Sequence, residues 1–351
     1  MSPGGLGYGR RVPELPSARG PISAFVVDAL RRPPHTLAPF DLPAGDGDVL
    51  GDDDLQLALY VCYELHYRGF DEVDERWEWE PSLLALRAGL ESLFERALET
   101  AVPRDSGGAL PAADEIDVAL RAIAEADDGP SLSRHLERHG TLEQFLEFCV
   151  HRSAYQLKEA DPHSWALPRL SGAPKAAMVE IQADEYGGGR VDRMHAELFA
   201  RTMRALGLDD AYGAYLDHIP GVTLATVNLM SLAGLHRRRR GVVVGHLALF
   251  EMTSSVPNRR YANALRRLGQ GEDATAFFDE HVVADAVHES IAAVDLAGGL
   301  VRAEPALCAD VLWGARALLE LEARWAAHLL GSGEAGRASL RAPLQDAAPV
   351  A

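Results

Sequence analysis

From Asp52 onward the chain repeats apolar residues at intervals of three and four, the spacing of one face of a helix. "DDDLQLALYVCYELHYRGF" opens on acidic residues suited to a helix N-terminus, and "PSLLALRAGLESLFERALETAV" (81–102) carries Pro in its first turn. Further helices are predicted at 114–126, 130–139, 141–158, 174–207, 208–217, 221–235, 237–254, 258–268, 272–297 and 303–330. Strand signals are nearly absent. The β-branched cluster "GVVVGHLALFEMTSS" is too long and too evenly apolar for a strand and reads as a buried helix. The pattern predicts an all-α protein, one bundle with additional N-terminal helices packed on it. Residues 1–50, dense in Pro and Gly, read as a flexible arm, 51–139 as accessory helices, 140–330 as the core, and 331–351 as a flexible tail.

Composition removes several classes of function. A formal charge of −18 argues against a nucleic-acid backbone or an anionic membrane as partner. Three scattered cysteines suit neither a disulfide framework nor a thiolate zinc site. The N-terminus lacks the apolar core of a secretory signal, and no apolar run reaches the roughly 18 residues of a membrane span. The expectation is a cytoplasmic protein. Basic residues are nearly all arginine; Lys158 and Lys175 are the two lysines.

One stretch changes the picture. In "FFDEHVVADAVHESI" (277–291), His281, Asp285 and His288 fall within an arc of roughly 60° on a helix otherwise rich in Val and Ala. A solvated stripe would carry Arg and Glu, as it does in "ALRAGLESLFERALE"; two imidazoles and a carboxylate form a metal-ligand set. Partners exist elsewhere. Asp192 and His195 are three residues apart, and Glu185 lies seven before Asp192, on nearly the same face if Gly187–Gly189 stays helical. Glu251 ends a long apolar run, where a carboxylate is costly unless paired or metal-bound. His246, about 140° round from Glu251, reads as a core or interface histidine. Carboxylates and imidazoles without thiolate suit Fe(II) or Mn(II).

With these residues in view, the chain resembles the haem-oxygenase-like diiron oxidases, or iron-containing redox enzymes. The family's carboxylate-x-x-His reads here as "DRMH" (Asp192, His195), its single Glu as "LFE" (Glu251), and its His-x-x-x-Asp-x-x-His as "HVVADAVH" (His281, Asp285, His288). "ADEYGGGR" places Glu185 as the additional carboxylate of N-oxygenating members; Asp192 departs from an expected Glu. The resemblance implies a haem-oxygenase-like bundle holding two Fe(II) without haem and using O2 to oxidise a small organic substrate. It favours N-oxygenation of an amine or amino acid over C–C cleavage or desaturation of a fatty acid or amino acid. An external reductant and a homodimer are compatible with it. A haem-binding or non-catalytic helical protein is the competing class.

Other motifs are set aside. The basic run His236–Arg240 reads as an exposed turn, and the triple glycine lacks the strand and Lys-Ser/Thr of a phosphate loop. Lys158, Glu159 and His163 precede the first ligand segment and read as fold-capping residues, with a part in the substrate pocket as the alternative.

Overall fold

The computed structural model describes residues 12–45, 47–104 and 109–344, with the side chains of 284–287 outside the description. The described residues form helices and turns, with no strand among them. In chain order the α-helices are α1 (Pro21–Leu30), α2 (Asp53–Glu64), α3 (Pro81–Ala101), α4 (Ile116–Glu125), α5 (Leu132–Arg138), α6 (Leu142–Gln156), α7 (Asp161–Ser164), α8 (Gly172–Glu185), α9 (His195–Ala205), α10 (Gly221–Leu235), α11 (Arg240–Arg267), α12 (Glu272–Ser290), α13 (Gly299–Ala303) and α14 (Cys308–Glu334). The all-α expectation holds.

Local chemistry accounts for several boundaries. The Asp52 carboxylate accepts from the backbone N–H groups of Asp54 and Leu55, capping α2. Thr141 and Gln144 form a reciprocal capping box at the start of α6. The evenly apolar "GVVVGHLAL" lies at the centre of the bundle within α11, buried on all sides, which is why it shows no alternation. α11 packs along both α12 and α14. Its crossing with α14 is unusually close: a Cβ at Gly245 would sit 1.8 Å from the Val311 carbonyl oxygen, and one at Gly314 2.2 Å from that of Val242.

Several expectations need correction. The segment 21–30 is not a loose arm: α1 packs on α2, and the Asp54 carboxylate accepts from the backbone N–H of Ile22 and Ser23. The helix expected over 174–207 is interrupted, because Gly187, Gly188 and Gly189 all have positive φ and the chain turns between α8 and α9. A Cβ at Gly187 would lie 2.6 Å from the backbone at Arg193 and Met194, so the turn closes tightly on itself. Residues 208–217 form turns rather than a helix. The helices expected at 237–254 and 258–268 are one, running through Pro257. The last predicted turns of 272–297 are π-helical, Ile291–Gly298. Part of the expected tail is anchored, with Leu340 buried and Ser339 donating to the Glu147 carboxylate. No helix among the described residues is long and apolar enough to cross a membrane.

Candidate metal centre

Five of the seven residues singled out from the sequence meet in the middle of the bundle. Glu185 ends α8, His195 begins α9, Glu251 lies midway along α11, and His281 and His288 share one face of α12. All five are buried. Asp285 falls in the stretch whose side chains lie outside the description. Asp192 is elsewhere: its side chain is 70% exposed and paired with Arg190 at 2.9 Å. The physical reason is the glycine turn. It breaks the continuous helix that would have stacked Asp192 over His195 and Glu185, leaving Asp192 on an outer loop.

A sixth residue joins them. Glu159, in the turn that follows α6, is buried with its Oε1 3.6 Å from His281 Nε2. The clue in the sequence was its register: Arg152, Tyr155 and Glu159 fall on one face of an extended α6, the face that meets the core. The turn hides this, since Ala160 adopts φ +74°, a left-handed conformation costing a non-glycine residue about 1–2 kcal/mol.

The donors form two groups that share one member. Glu159, Glu185, His195 and His281 each offer a ligand atom within 4.8 Å of the others, and so do Glu185, Glu251 and His288. Glu185 belongs to both, and its two oxygens face different histidines. Its Oε2 is 2.9 Å from His195 Nδ1, while its Oε1 is 3.9 Å from His288 Nδ1. His288 Nδ1 is also 3.3 Å from Glu251 Oε2.

The outer nitrogens are tied down. His281 Nδ1 lies 2.8 Å from the Phe277 carbonyl oxygen, to which it donates, and this turns Nε2 toward Glu159. His288 Nε2 is 3.1 Å from Asp184 Oδ2. A backbone carbonyl and a carboxylate behind the two rings are the partners that orient metal-bound imidazoles.

Charge in this pocket is poorly balanced by the chain itself. Burial pushes the Glu159 and Glu251 carboxyls above the ordinary range, against the attraction of nearby histidines, and Glu185 adds like-charge repulsion to both. Burial, with His281 alongside, lowers His195 to about 4, so its ring is neutral at pH 7. For His288 burial acts downward too, but Glu251 and Asp184 outweigh it and raise the ring to about 9. Among the described residues, Glu159 Oε2 is buried without a hydrogen-bond partner, and His195 Nδ1 and His288 Nδ1 face carboxylates without hydrogen-bond geometry. Such atoms are costly in a protein interior unless a water or an ion satisfies them. The donor set fits iron: three carboxylates and three imidazoles, hard and borderline ligands with no thiolate.

Two spaces adjoin the donors. A tight one of about 10 Å³ lies among Glu159, Glu185, Glu251, His281 and Gln182, on the scale of a single water. Gln182 is buried one turn before Glu185, and neither its Nε2 nor its Oε1 has a hydrogen-bond partner among the described residues. A larger cavity of about 630 Å³ begins at Glu159 and His281 and reaches Asp127 and Arg134 at the surface. Phe199, Phe250 and Tyr261 line it, together with the Arg152–Glu322 ion pair.

The chain belongs to the iron-containing redox enzyme family, whose sequence profile matches residues 146–323, and it is thus an oxidoreductase by family. The all-α bundle agrees with the haem-oxygenase-like fold that the resemblance implied. It is also similar to a nitrosourea synthase of Streptomyces achromogenes subsp. streptozoticus, 28% identical over 149 residues, or 42% of this chain. The matched stretch covers 31% of that relative's own length.

Proposed function

We propose that the chain is a non-haem diiron oxidase that uses O2 on a small organic substrate, by N-oxygenation of an amine or amino acid. The observation that carries this reading is Glu185, whose two oxygens face separate sets of ligands. With Glu185 shared between the two sets, the six residues would hold two cations rather than one. Three carboxylates against two Fe(II) leave a charge of about +1, and Asp285, retained as a ligand from the motif, would bring it near zero. When bound, the irons would supply the open positions and electrons with which O2 reacts.

The chain's own groups would bind and orient the substrate. The large cavity ends at Glu159 and His281, so a bound molecule reaches the metal centre from that side. Its aromatic walls would exclude water, while Arg152, Glu322 and Asn258 give it a polar lining that suits an amine or amino acid better than an acyl chain. The similarity to a nitrosourea synthase points the same way, since a nitrosourea contains an oxidised nitrogen. In N-oxygenation one atom of O2 enters the substrate nitrogen and the other leaves as water. Two electrons come from an external reductant and two protons from solvent.

The test is anaerobic titration of the metal-free chain with Fe(II), then rapid mixing with O2, followed by a screen of amines for products heavier by one oxygen. Two equivalents bound, and a transient visible absorption that His281→Ala abolishes, are expected. Absence of iron binding, or of any response to O2 across the screen, would reject the proposal.

A further inference from the structure

The ligand turn that carries Glu159 is gripped from outside the family-matched region. Lys158, the neighbour of Glu159, is fully buried, and its Nζ lies 2.9 Å from Oε2 of Glu64, itself fully buried as the last residue of α2. The same Nζ sits 4.2 Å from the ring centre of Tyr67 and 4.9 Å from that of Tyr60. Tyr212 donates its hydroxyl to Glu64 at 2.5 Å. Just beyond α2, Arg68 donates to the Leu157 carbonyl at 3.0 Å and lies 3.8 Å from Asp161. Asp161 accepts from the hydroxyl of Tyr186, the residue after Glu185, at 2.8 Å. Contacts from 60–68 therefore reach both sides of Glu159, and one step further they reach the end of α8. The family profile begins at residue 146, so Tyr60, Glu64, Tyr67 and Arg68 lie outside it.

We propose that the C-terminal end of α2 positions Glu159 as a metal ligand, with Glu64 and Lys158 as positioning residues that act through it. This rests on the diiron reading above. A turn containing a left-handed alanine does not hold its shape by local preference. Long-range partners must hold it, and here they are a buried ion pair and an arginine-to-carbonyl hydrogen bond. Loosening them frees Glu159 while leaving Glu185, Glu251, His195, His281 and His288 on their helices. The group that contains Glu159 then loses a donor; the group of Glu185, Glu251 and His288 keeps all of its own.

The experiment is Mn(II) titration of the full chain, followed by electron paramagnetic resonance, on the unmodified protein, on the double variant Glu64→Met with Lys158→Met, and on Arg68→Leu. The double variant removes both charges together and leaves no unpaired one. The unmodified chain is expected to bind two equivalents with a spin-coupled spectrum. The double variant should keep one tight equivalent with an uncoupled six-line signal, its second weakened about 10- to 100-fold, the usual effect of losing a ligand's support. Arg68→Leu should weaken the same equivalent less, and it decides the matter should the double variant not fold. Two tight, coupled equivalents in a folded variant would overturn the positioning role while sparing the diiron reading. Fewer than two in the unmodified chain would overturn both.

Discussion

The end of α2 and the centre of the bundle both bury carboxylates, yet they settle the charge in different ways. Glu64 meets a lysine, a tyrosine hydroxyl and aromatic faces, all supplied by the chain. Glu159, Glu185 and Glu251 meet one another and imidazoles, and several of the facing atoms lack a hydrogen bond. The first arrangement is complete without any added ion. The second invites cations. Two buried acidic groups of similar depth therefore differ in kind, and the difference lies in how fully the sequence provides the counter-charge.

The sharpest way to break this contrast is to remove one side of the completed pair. Lys158→Met alone should destabilise the chain by roughly 3–5 kcal/mol in urea unfolding, with or without metal, because Glu64 is left buried and uncompensated. Next in size is the effect of the ions themselves. Fe(II) or Mn(II) at 100 times Kd should add about 2.7 kcal/mol to the same unfolding free energy for each ion bound, and Glu185→Ala should remove most of that gain by crippling both groups at once. A smaller effect of opposite sign is expected at Glu159. In the presence of chelator, Glu159→Gln should stabilise the protein in urea unfolding, since burial disfavours the Glu159 carboxylate more than His281 favours it. A loss of stability there would make Glu159 another structural acid like Glu64. The smallest change belongs to Gln182→Leu. Stability should move by less than about 1 kcal/mol, because an unpaired amide is exchanged for an apolar group, and metal stoichiometry should be unchanged. A slower O2 consumption in that variant would mark the amide as a contact for what binds at the centre.

The sequence revealed those parts of the candidate centre that sit on regular helix. His281 and His288 stand seven residues apart on α12, and period alone puts them on one face. Glu251 stood out because a carboxylate closes an apolar run on α11. Asp192 was misplaced for a reason that periodicity cannot detect: whether three glycines continue a helix or turn out of it depends on what packs around them. Glu159 reads from sequence as a fold-capping residue rather than a metal donor because its turn takes its shape from Arg68 and Glu64, roughly ninety residues earlier in the chain. The N-terminal arm was misjudged in the same way, since α1 is held by the Asp54 carboxylate and the surface of α2 rather than by its own Pro-rich surroundings. What local pattern misses here is consistently a segment held by distant partners.

The crossing of α11 with α14 has a consequence for accuracy. Where side chains separate two helices, their spacing depends on how those side chains settle, and each rotamer adds slack. At Gly245 and Gly314 nothing intervenes, so the gap is set by backbone atoms in contact, which have no rotamers to change. Glu251 stands six residues further along the same rod, about 9 Å from this fixed datum. Its location is thereby machined to the tolerance of a van der Waals contact, in a bundle where another buried carboxylate, Glu159, hangs from a turn.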